Sequence, residues 1–398
     1  MLIALNERKE YVNVAEKKWS KDELKVIRKE TVFECPVCKR GVELKIGSIK
    51  IPHFSHKKND LCFIKGEPES EYHLSGKLQL FQWIQKQQVD SVYLEYYLPA
   101  IQQRPDIYFE QAEKKVAIEY QCSTIDQKSL LQRSRKLQQL SITVQWVLGA
   151  KKVQRTGTNT YRMTPFVWLF TMISKTSQPP KLIVYCPVQK SFIILHHIIP
   201  FTSQNVLAIS EIVHIDSTNY HSLFRKEVSM QALYANWFKK VSRFRLLPPP
   251  FESSEVRYFN SLLYTKKQLP IAYIPTLALL PIKTAYLIQS NSYIWQTYIL
   301  LYIDSKRASF SFRDITREIT RKINERRVKI RYLPHIKNMH FSYTLKEYLS
   351  CLCSLGLIRK GKDGEFIKVK DVVWTNDPHQ LVESDEWTKQ KLLHLSKF

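Results

Sequence analysis

Two acidic residues, Asp106 and Glu119, have the residue types and spacing of a metal-binding catalytic pair. They lie in RPDIYF (104–109) and EKKVAIEYQC (113–122), two segments whose composition favours strands. If these strands pair, both carboxylates project to one end of a sheet, where their oxygens can bind Mg²⁺ or Mn²⁺. Such an ion would orient water and stabilise the charge that develops on a phosphodiester during hydrolysis. The alternative interpretation is two polar residues in an ordinary hairpin.

A helix before these strands offers further polar groups. Apolar residues recur at three- and four-residue spacing in EYHLSGKLQLFQWIQKQ, which predicts a helix over 71–87. His73 and Lys77 are four residues apart and therefore share one helical face. Glu71, His73 and Lys77 are candidates for a supporting role at the site, and Glu69 lies just before them. A solvated charged helix face explains these residues equally well.

The elements around the acidic pair follow the order helix, three strands, helix, strand. SVYLEYYLPA (91–100) predicts the first strand, KSLLQRSRKLQQL (128–140) the second helix, and SITVQWVLGA (141–150) the last strand. A helix between two strands suggests a crossover in a mixed α/β sheet. The second helix carries cations that suit phosphate binding, although an exposed helix face accounts for them as well: Lys128, Arg133, Arg135 and Lys136.

In element order and in motif, this unit resembles the PD-(D/E)xK nuclease core. Pro105-Asp106 matches the PD, and Glu119-Tyr120-Gln121 matches (D/E)xK except that Gln121 stands where lysine is usual. The resemblance implies an α/β, restriction-endonuclease-like fold and Mg²⁺-dependent hydrolysis of phosphodiesters. Lysine can activate water as a cation, whereas glutamine can only position water by hydrogen bonding.

The same resemblance assigns roles to the first helix. An acid from this helix often assists the metal in that superfamily, and Glu71 is the residue expected to do so. Lys77 is expected to replace the missing cation, while Gln121 orients the water.

A second cluster of metal-binding residue types lies near the N-terminus. CPVC (35–38) and PHFSH (52–56) place Cys35, Cys38, His53 and His56 at spacings typical of a structural zinc site. The alternating pattern of ELKIGSIKIPHFSH indicates that the histidines lie on or after a hairpin strand. Cys62 is close enough to replace one of them. The alternative is a buried hairpin whose cysteines and histidines bind no metal.

The composition narrows the class of function. The 398 residues contain 61 Lys and Arg against 36 Asp and Glu, and a formal charge of +25 indicates a polyanionic partner, above all nucleic acid. Only nine glycines occur and G-x-x-x-x-G-K-[ST] is missing, which disfavours a P-loop motor. Seven cysteines make a disulfide framework a poor interpretation. The N-terminus lacks a signal-peptide pattern, so a cytoplasmic protein without membrane insertion is expected.

The chain is expected to contain four regions. These are a β-rich zinc-finger-like module (1–65), a nuclease-like domain (66–150), a middle mixed region (151–250) and a mainly helical C-terminal region (251–398). The proline cluster in LLPPPFESSE (246–255) supports the last boundary. Two predicted helices followed by a basic hairpin in LIRKGKDGEFIKVK (357–370) suggest a winged-helix-like end. Its wing would set Arg359, Lys360 and Lys362 against phosphates, the alternative being a docking or purely structural domain.

Taken together, these motifs resemble the competence protein CoiA family. The resemblance lies within residues 1–150, in MLIALN, CPVC…HFSH, EYHLSGK, RPDIYF…IEYQCS and Ser134-Arg135. It implies a nuclease-like protein of natural transformation that processes or recombines incoming DNA, with single-stranded or branched DNA as substrate. It also implies a recombinase that coats single strands as a partner. Two hypotheses follow: a metal-dependent DNA nuclease, or a degenerate DNA-binding accessory protein that promotes recombination.

Overall fold

The computed structural model describes residues 1–16, 19–57, 62, 69–173, 179–225, 229–247, 253–306, 309–334, 336 and 339–395. The chain divides into two compact units. Unit 1 comprises Met1–Val153, Ile183–Ile194 and Glu211–Lys226, and unit 2 comprises Gln154–Leu182, Leu195–Ser210 and Glu227–Phe398. Residues 248–252 of the predicted proline boundary lie outside the described residues.

The strands, numbered along the chain, are β1 (Ile3–Leu5), β2 (Tyr11–Asn13), β3 (Phe33–Glu34), β4 (Gly41–Lys45), β5 (His53–His56), β6 (Ser91–Leu94), β7 (Ile107–Gln111), β8 (Lys114–Gln121), β9 (Thr143–Gly149), β10 (Gln154–Gly157), β11 (Thr160–Arg162), β12 (Leu182–Cys186), β13 (Ser191–Pro200), β14 (Asn205–His214), β15 (Ser309–Ser311), β16 (Ile358–Lys360) and β17 (Glu365–Lys368).

The α-helices are α1 (Lys21–Glu30), α2 (Glu71–Gln85), α3 (Gln127–Gln139), α4 (Pro165–Trp168), α5 (Tyr220–Arg225), α6 (Gln231–Leu246), α7 (Ser254–Lys267), α8 (Ser292–Asp304), α9 (Phe312–Asn324), α10 (Ser342–Ser354) and α11 (Pro378–Leu395).

Unit 1 contains two sheets. The first is antiparallel, with the order β2-β1-β3-β4-β5, and it packs a small apolar core around Phe33, Leu44 and Phe54. In the larger sheet, the strands of unit 1 follow the order β12-β9-β8-β7-β6. β7 and β8 form an antiparallel hairpin, whereas β8 and β9 are parallel and are connected by α3. The predicted mixed α/β sheet with this element order is confirmed.

Helix α2 begins and packs for identifiable reasons. The Ser70 side chain accepts a hydrogen bond from the backbone N–H of His73, which caps the first turn. The helix lies so close to β8 that a Cβ atom at Gly76 would be 2.2 Å from the ring of Tyr120. Only glycine allows this approach, which brings the polar residues of α2 against the start of β7 and the end of β8.

The strand predicted over 91–100 is shorter than expected. β6 ends at Leu94 because Glu95 adopts a left-handed backbone conformation, with φ of 51°. Its carboxylate is buried and accepts hydrogen bonds from the backbone N–H groups of Leu2 and Ile3, at 3.0 and 3.4 Å. The sequence pattern of aromatic residues continues past this point, although the strand does not.

The C-terminal part of unit 2 is mainly helical, as predicted. Its fully buried residues include Trp237, Trp295 and Tyr348. Along the chain the order is α8, β15, α9, α10, β16, β17, and the three strands form a small antiparallel sheet with the order β15-β17-β16. The predicted hairpin over 357–370 is therefore present as β16 and β17.

Candidate active site and metal cluster

Asp106 lies at the entry of β7 and is held against β8. Ile107 is the antiparallel partner of Ile118, which sets Asp106 beside the end of β8. The backbone N–H of Tyr120 donates a hydrogen bond to Oδ2 of Asp106 at 2.9 Å. Asp106 and Glu119 are thus brought to the same end of the hairpin, as the sequence predicts.

Glu119 is fully buried, and only one of its two carboxylate oxygens has a partner among the described residues. Its Oε2 forms an ion pair with Arg133 of α3. Its Oε1 is also buried and has no hydrogen-bond partner among the described residues. Burial raises the pKa of Glu119 to about 7, the charge of Asp106 adds to the rise, and Arg133 opposes it. A buried carboxylate oxygen without a partner is the position at which a cation is favoured.

Two side chains of α2 reach Asp106. His73 Nε2 is 3.7 Å from Asp106 Oδ2, and His73 Nδ1 is 3.8 Å from Glu69 Oε1. The ammonium of Lys77 is buried, forms ion pairs with Glu69 and Glu95, and is 3.4 Å from Asp106 Oδ1.

Lys77 and the carboxylates around it determine one another's protonation states. Burial alone lowers the pKa of Lys77, but the three carboxylates raise it above its ordinary value. Burial alone raises the pKa of Asp106, but Lys77 and His73 hold it well below its usual range. Lys77 therefore stays protonated and Asp106 stays ionised at neutral pH.

Sequence reasoning missed two acids of this group. Glu69 precedes the predicted helix, yet its Oε1 lies by both Lys77 and His73. Glu95 belongs to the strand predicted over 91–100, yet it pairs with Lys77 and lies 3.8 Å from Nη1 of Arg104. We call Glu69, Glu95, Asp106 and Glu119 the carboxylate centre. The sequence offered one indication that Glu69 belongs to this group: it lies just before Ser70, the residue that caps α2.

Two predicted residues turn away from this centre. Glu71 accepts a hydrogen bond from the backbone N–H of Ile51 at 2.7 Å, so the acid that approaches His73 is Glu69. The amide of Gln121 donates to the backbone oxygen and the hydroxyl of Ser123, at 3.0 and 2.9 Å.

The predicted DNA-binding cations are divided among three places. Arg133 is engaged with Glu119 and lies 5.1 Å from the centroid of the Trp146 ring. Lys128 and Arg135 are exposed and Lys136 is half-buried on α3. In unit 2, the cations of β16 and the following turn are exposed: Arg359, Lys360 and Lys362.

Two residues of the centre, together with His73, fit a divalent ion. Glu69, His73 and Asp106 each place one ligand atom within 4.8 Å of the others. Glu119 is not part of this group, but its Oε1, which has no hydrogen-bond partner among the described residues, lies at the same end of the hairpin as Asp106. Carboxylate oxygens suit Mg²⁺ and Mn²⁺, and an imidazole nitrogen favours the transition metal of the two.

The cysteine–histidine cluster differs from the expected set in one member. Cys35, Cys38, His56 and Cys62 place their ligand atoms within 4.8 Å of one another, and Cys38 Sγ is 3.2 Å from His56 Nε2. His53 lies outside this group, with its Nδ1 2.9 Å from the backbone oxygen of Ile51. Cys62 therefore stands where His53 was first expected.

The strand geometry explains this exchange. His53 and His56 both belong to β5, and residues separated by an odd number of positions point to opposite faces of a strand. Only one of them can face the CPVC turn. Burial raises the pKa of the Cys35 thiol to about 11, so a metal ion would have to displace its proton.

Comparisons with known proteins agree with this architecture. Three family models match the chain: the N-terminal domain (residues 16–65), the nuclease-like domain (69–228) and the C-terminal domain (233–382) of competence protein CoiA. The chain belongs to the competence protein CoiA family. It is 32% identical over 356 residues to the competence protein CoiA of Bacillus subtilis (strain 168), covering 89% of this chain and 94% of that protein. No solved structure matches.

Among the described residues, no helix has both the length and the apolar character that a membrane span requires.

Proposed function

We propose that the chain is a competence factor whose unit 1 hydrolyses DNA phosphodiesters with a divalent metal ion, acting on single-stranded or branched DNA. The observation that carries this proposal is that Asp106 and Glu119 lie at one end of the β7–β8 hairpin, with His73 3.7 Å from Asp106 and with a buried oxygen of Glu119 that lacks a hydrogen-bond partner among the described residues. A PD-(D/E)xK core is supported by the order α2, β6, β7, β8, α3, β9 and by the parallel pairing of β8 with β9. The proposed domains of the chain are the four regions predicted from the sequence.

The chain's own residues would divide the work in a defined way. Asp106 and Glu119 would hold Mg²⁺ or Mn²⁺, with Glu69 and His73 completing the ligands. The ion, when bound, polarises the phosphate and lowers the pKa of a bound water. Lys77 supplies the fixed positive charge that the lysine of the (D/E)xK motif would supply in place of Gln121. It cannot act as a base because it stays protonated. Gln121 could orient water only if its amide exchanged its hydrogen bonds to Ser123 for bonds to that water.

The other proposed partners follow from charge and architecture. The cysteine–histidine cluster would bind a structural zinc ion, since three thiolates and one imidazole close a tetrahedral site. The C-terminal order α8, β15, α9, α10, β16, β17 supports a winged helix whose wing carries Arg359, Lys360 and Lys362 to phosphates. The recombinase that coats single strands remains the proposed protein partner.

A second function is favoured by a specific observation. Arg133 and Lys77 already balance much of the negative charge of the centre, and the amide of Gln121 is occupied by Ser123. These contacts would equally stabilise a degenerate core that grips DNA and promotes recombination without cutting it.

Cleavage distinguishes the two functions. Purified protein is incubated with single-stranded, duplex and branched DNA and with Mg²⁺ or Mn²⁺, beside an Asp106→Ala/Glu119→Ala variant. Metal-dependent cutting that the variant loses, with DNA binding unchanged, supports the nuclease. If neither protein cuts while both bind DNA equally, the accessory function replaces it.

A further inference from the structure

Three tyrosines pack together on β6, on the segment that follows it and on β7. Tyr93 and Tyr108 have ring centroids 6.1 Å apart and planes at 27°, and Tyr96 and Tyr108 are 5.5 Å apart at 18°. Tyr93 and Tyr96 are 4.9 Å apart at 33°. Tyr108 is thus stacked with both other rings, while Tyr93 and Tyr96 are tilted relative to each other.

One side of the three-tyrosine group is buried, and the other side is exposed to solvent. Tyr108 is 5% exposed because it packs with Leu137 of α3 and Ala117 of β8. Tyr93 is its cross-strand partner on β6, the last strand of the sheet, and it is 44% exposed. Tyr108 therefore fixes the orientation of the stack, while the Tyr93 ring offers a surface to solvent.

Two acids of the carboxylate centre flank these strands. Glu95 follows Tyr93 by two residues and Asp106 precedes Tyr108 by two, and the backbone N–H of Glu95 donates to the backbone oxygen of Asp106 at 2.9 Å. Two residues of a strand span about 7 Å, which is no more than about two nucleotides even at the duplex rise of about 3.4 Å and fewer in an extended single strand. A base on Tyr93 would thus belong to the nucleotides next to a phosphate at the centre.

The charges beside the three tyrosines are of both signs, whereas the chain as a whole is basic. Glu110 accepts a hydrogen bond from the hydroxyl of Tyr108, and its cross-strand partner Lys115 is exposed on the same face. The chain carries a formal charge of +25. An exposed aromatic ring on the last strand of the sheet, in a basic chain, fits an unpaired base of a single strand.

We propose that Tyr93, supported by Tyr96 and Tyr108, is a stacking platform for a base of single-stranded DNA next to the carboxylate centre. This inference rests on the proposal that unit 1 acts on DNA and deepens it, because it selects single strands. In a duplex the faces of the bases are covered by their neighbours, and only an unpaired base can place its face on Tyr93.

Binding of two oligonucleotides to the full chain tests the platform. One is a short oligodeoxythymidine, and the other is the same backbone with abasic residues in place of the bases; both are measured without added Mg²⁺ or Mn²⁺ so that they remain intact. Tyr93→Ala should weaken binding of the first about tenfold and leave binding of the second unchanged. Tyr93→Phe should bind like wild type, as should Tyr264→Ala, which removes a tyrosine that is 64% exposed in unit 2. Unchanged oligodeoxythymidine binding by Tyr93→Ala, or an equal loss with the abasic strand, would overturn the proposal.

A second measurement needs no variant. A strand containing 5-iododeoxyuridine is irradiated with the wild-type chain, and the cross-linked peptides are identified by mass spectrometry. Cross-links to Tyr93 or Tyr96 are expected, and cross-links confined to other peptides would contradict the platform. Neither measurement requires cleavage, so a chain that stacks bases on Tyr93 without cutting DNA would keep this inference while the nuclease proposal fails.

Discussion

The cysteine–histidine cluster and the carboxylate centre both consist of metal-binding residue types, but they differ in what holds them together. In the cluster, three thiols and an imidazole place their ligand atoms within 4.8 Å of one another. In the centre, Lys77, Arg104 and Arg133 supply cations to the acids. We infer that the cluster needs an ion to be stable, whereas the centre keeps its shape without one and can exchange its ion during catalysis.

The largest expected effect concerns the cluster. His56→Ala should abolish the bound zinc and release the β4–β5 hairpin, because structural zinc contributes on the order of 10 kcal/mol in small zinc domains. Metal content by mass spectrometry and proteolysis of the N-terminal region measure the loss. His53→Ala is the matched control and should keep its zinc, since His53 lies outside the cluster. Equal loss in both variants would show that the histidines were assigned wrongly.

The next effect concerns Lys77, the buried cation beside the carboxylate centre. Lys77→Met should lower the stability of α2 and β6 by about 3–5 kcal/mol, because it leaves Glu69, Glu95 and Asp106 buried without their shared partner. Hydrogen exchange of the backbone amides in these elements reports the change locally. Arg135→Met, an exposed position on α3, should change protection by less than about 0.5 kcal/mol. Similar protection in both variants would mean that the ion pairs of Lys77 do not hold the centre together.

The pH dependence of Glu95 gives a smaller effect. Burial raises its pKa, but Lys77 and Arg104 outweigh burial and bring it down to about 2. The unfolded value is about 4.5, so this group stabilises the fold above that pH and loses its contribution as the pH falls from 4.5 through 2. The loss is on the order of 3 kcal/mol.

Acid unfolding of the wild type and of Glu95→Gln checks this assignment. The variant should be less stable at neutral pH and should lose less stability on acidification. Parallel curves for the two proteins would assign the acid sensitivity to other carboxylates.

The smallest effect belongs to the proposed wing. Lys360→Ala and Lys362→Ala should each weaken duplex binding equally for all sequences and reduce the slope of log affinity against log salt by about one. Lys25→Ala, on the exposed face of α1, is the control and should leave the slope unchanged. An unchanged slope in the wing variants would favour a docking or structural domain at the C-terminus.

Much of unit 1 could be predicted because its signals are local. The apolar spacing of α2 and α3 and the strand-favouring composition of β7 and β8 give the elements, and the hairpin then brings Asp106 to Glu119. The sequence also implied that only one histidine of β5 can join the cluster, because two histidines three positions apart on a strand cannot both face the CPVC turn.

The rest depended on contacts that are distant in sequence. Glu95 is buried because it receives the backbone N–H groups of Leu2 and Ile3, more than ninety positions away. No local pattern distinguishes its buried carboxylate from that of an exposed strand residue. Glu69 likewise gains its role from Lys77 and His73 only once α2 is packed on the sheet.

Binding of Mn²⁺ tests the central claim most directly. Electron paramagnetic resonance of the zinc-loaded chain should show one Mn²⁺ site with coupling to a ¹⁴N nucleus from His73. Asp106→Asn and Glu119→Gln should lose the site while hydrogen exchange shows the fold of unit 1 retained. His73→Gln should keep weaker Mn²⁺ binding without the ¹⁴N coupling. Undiminished Mn²⁺ binding in all three variants would contradict the assignment of the carboxylate centre as a metal-dependent active site.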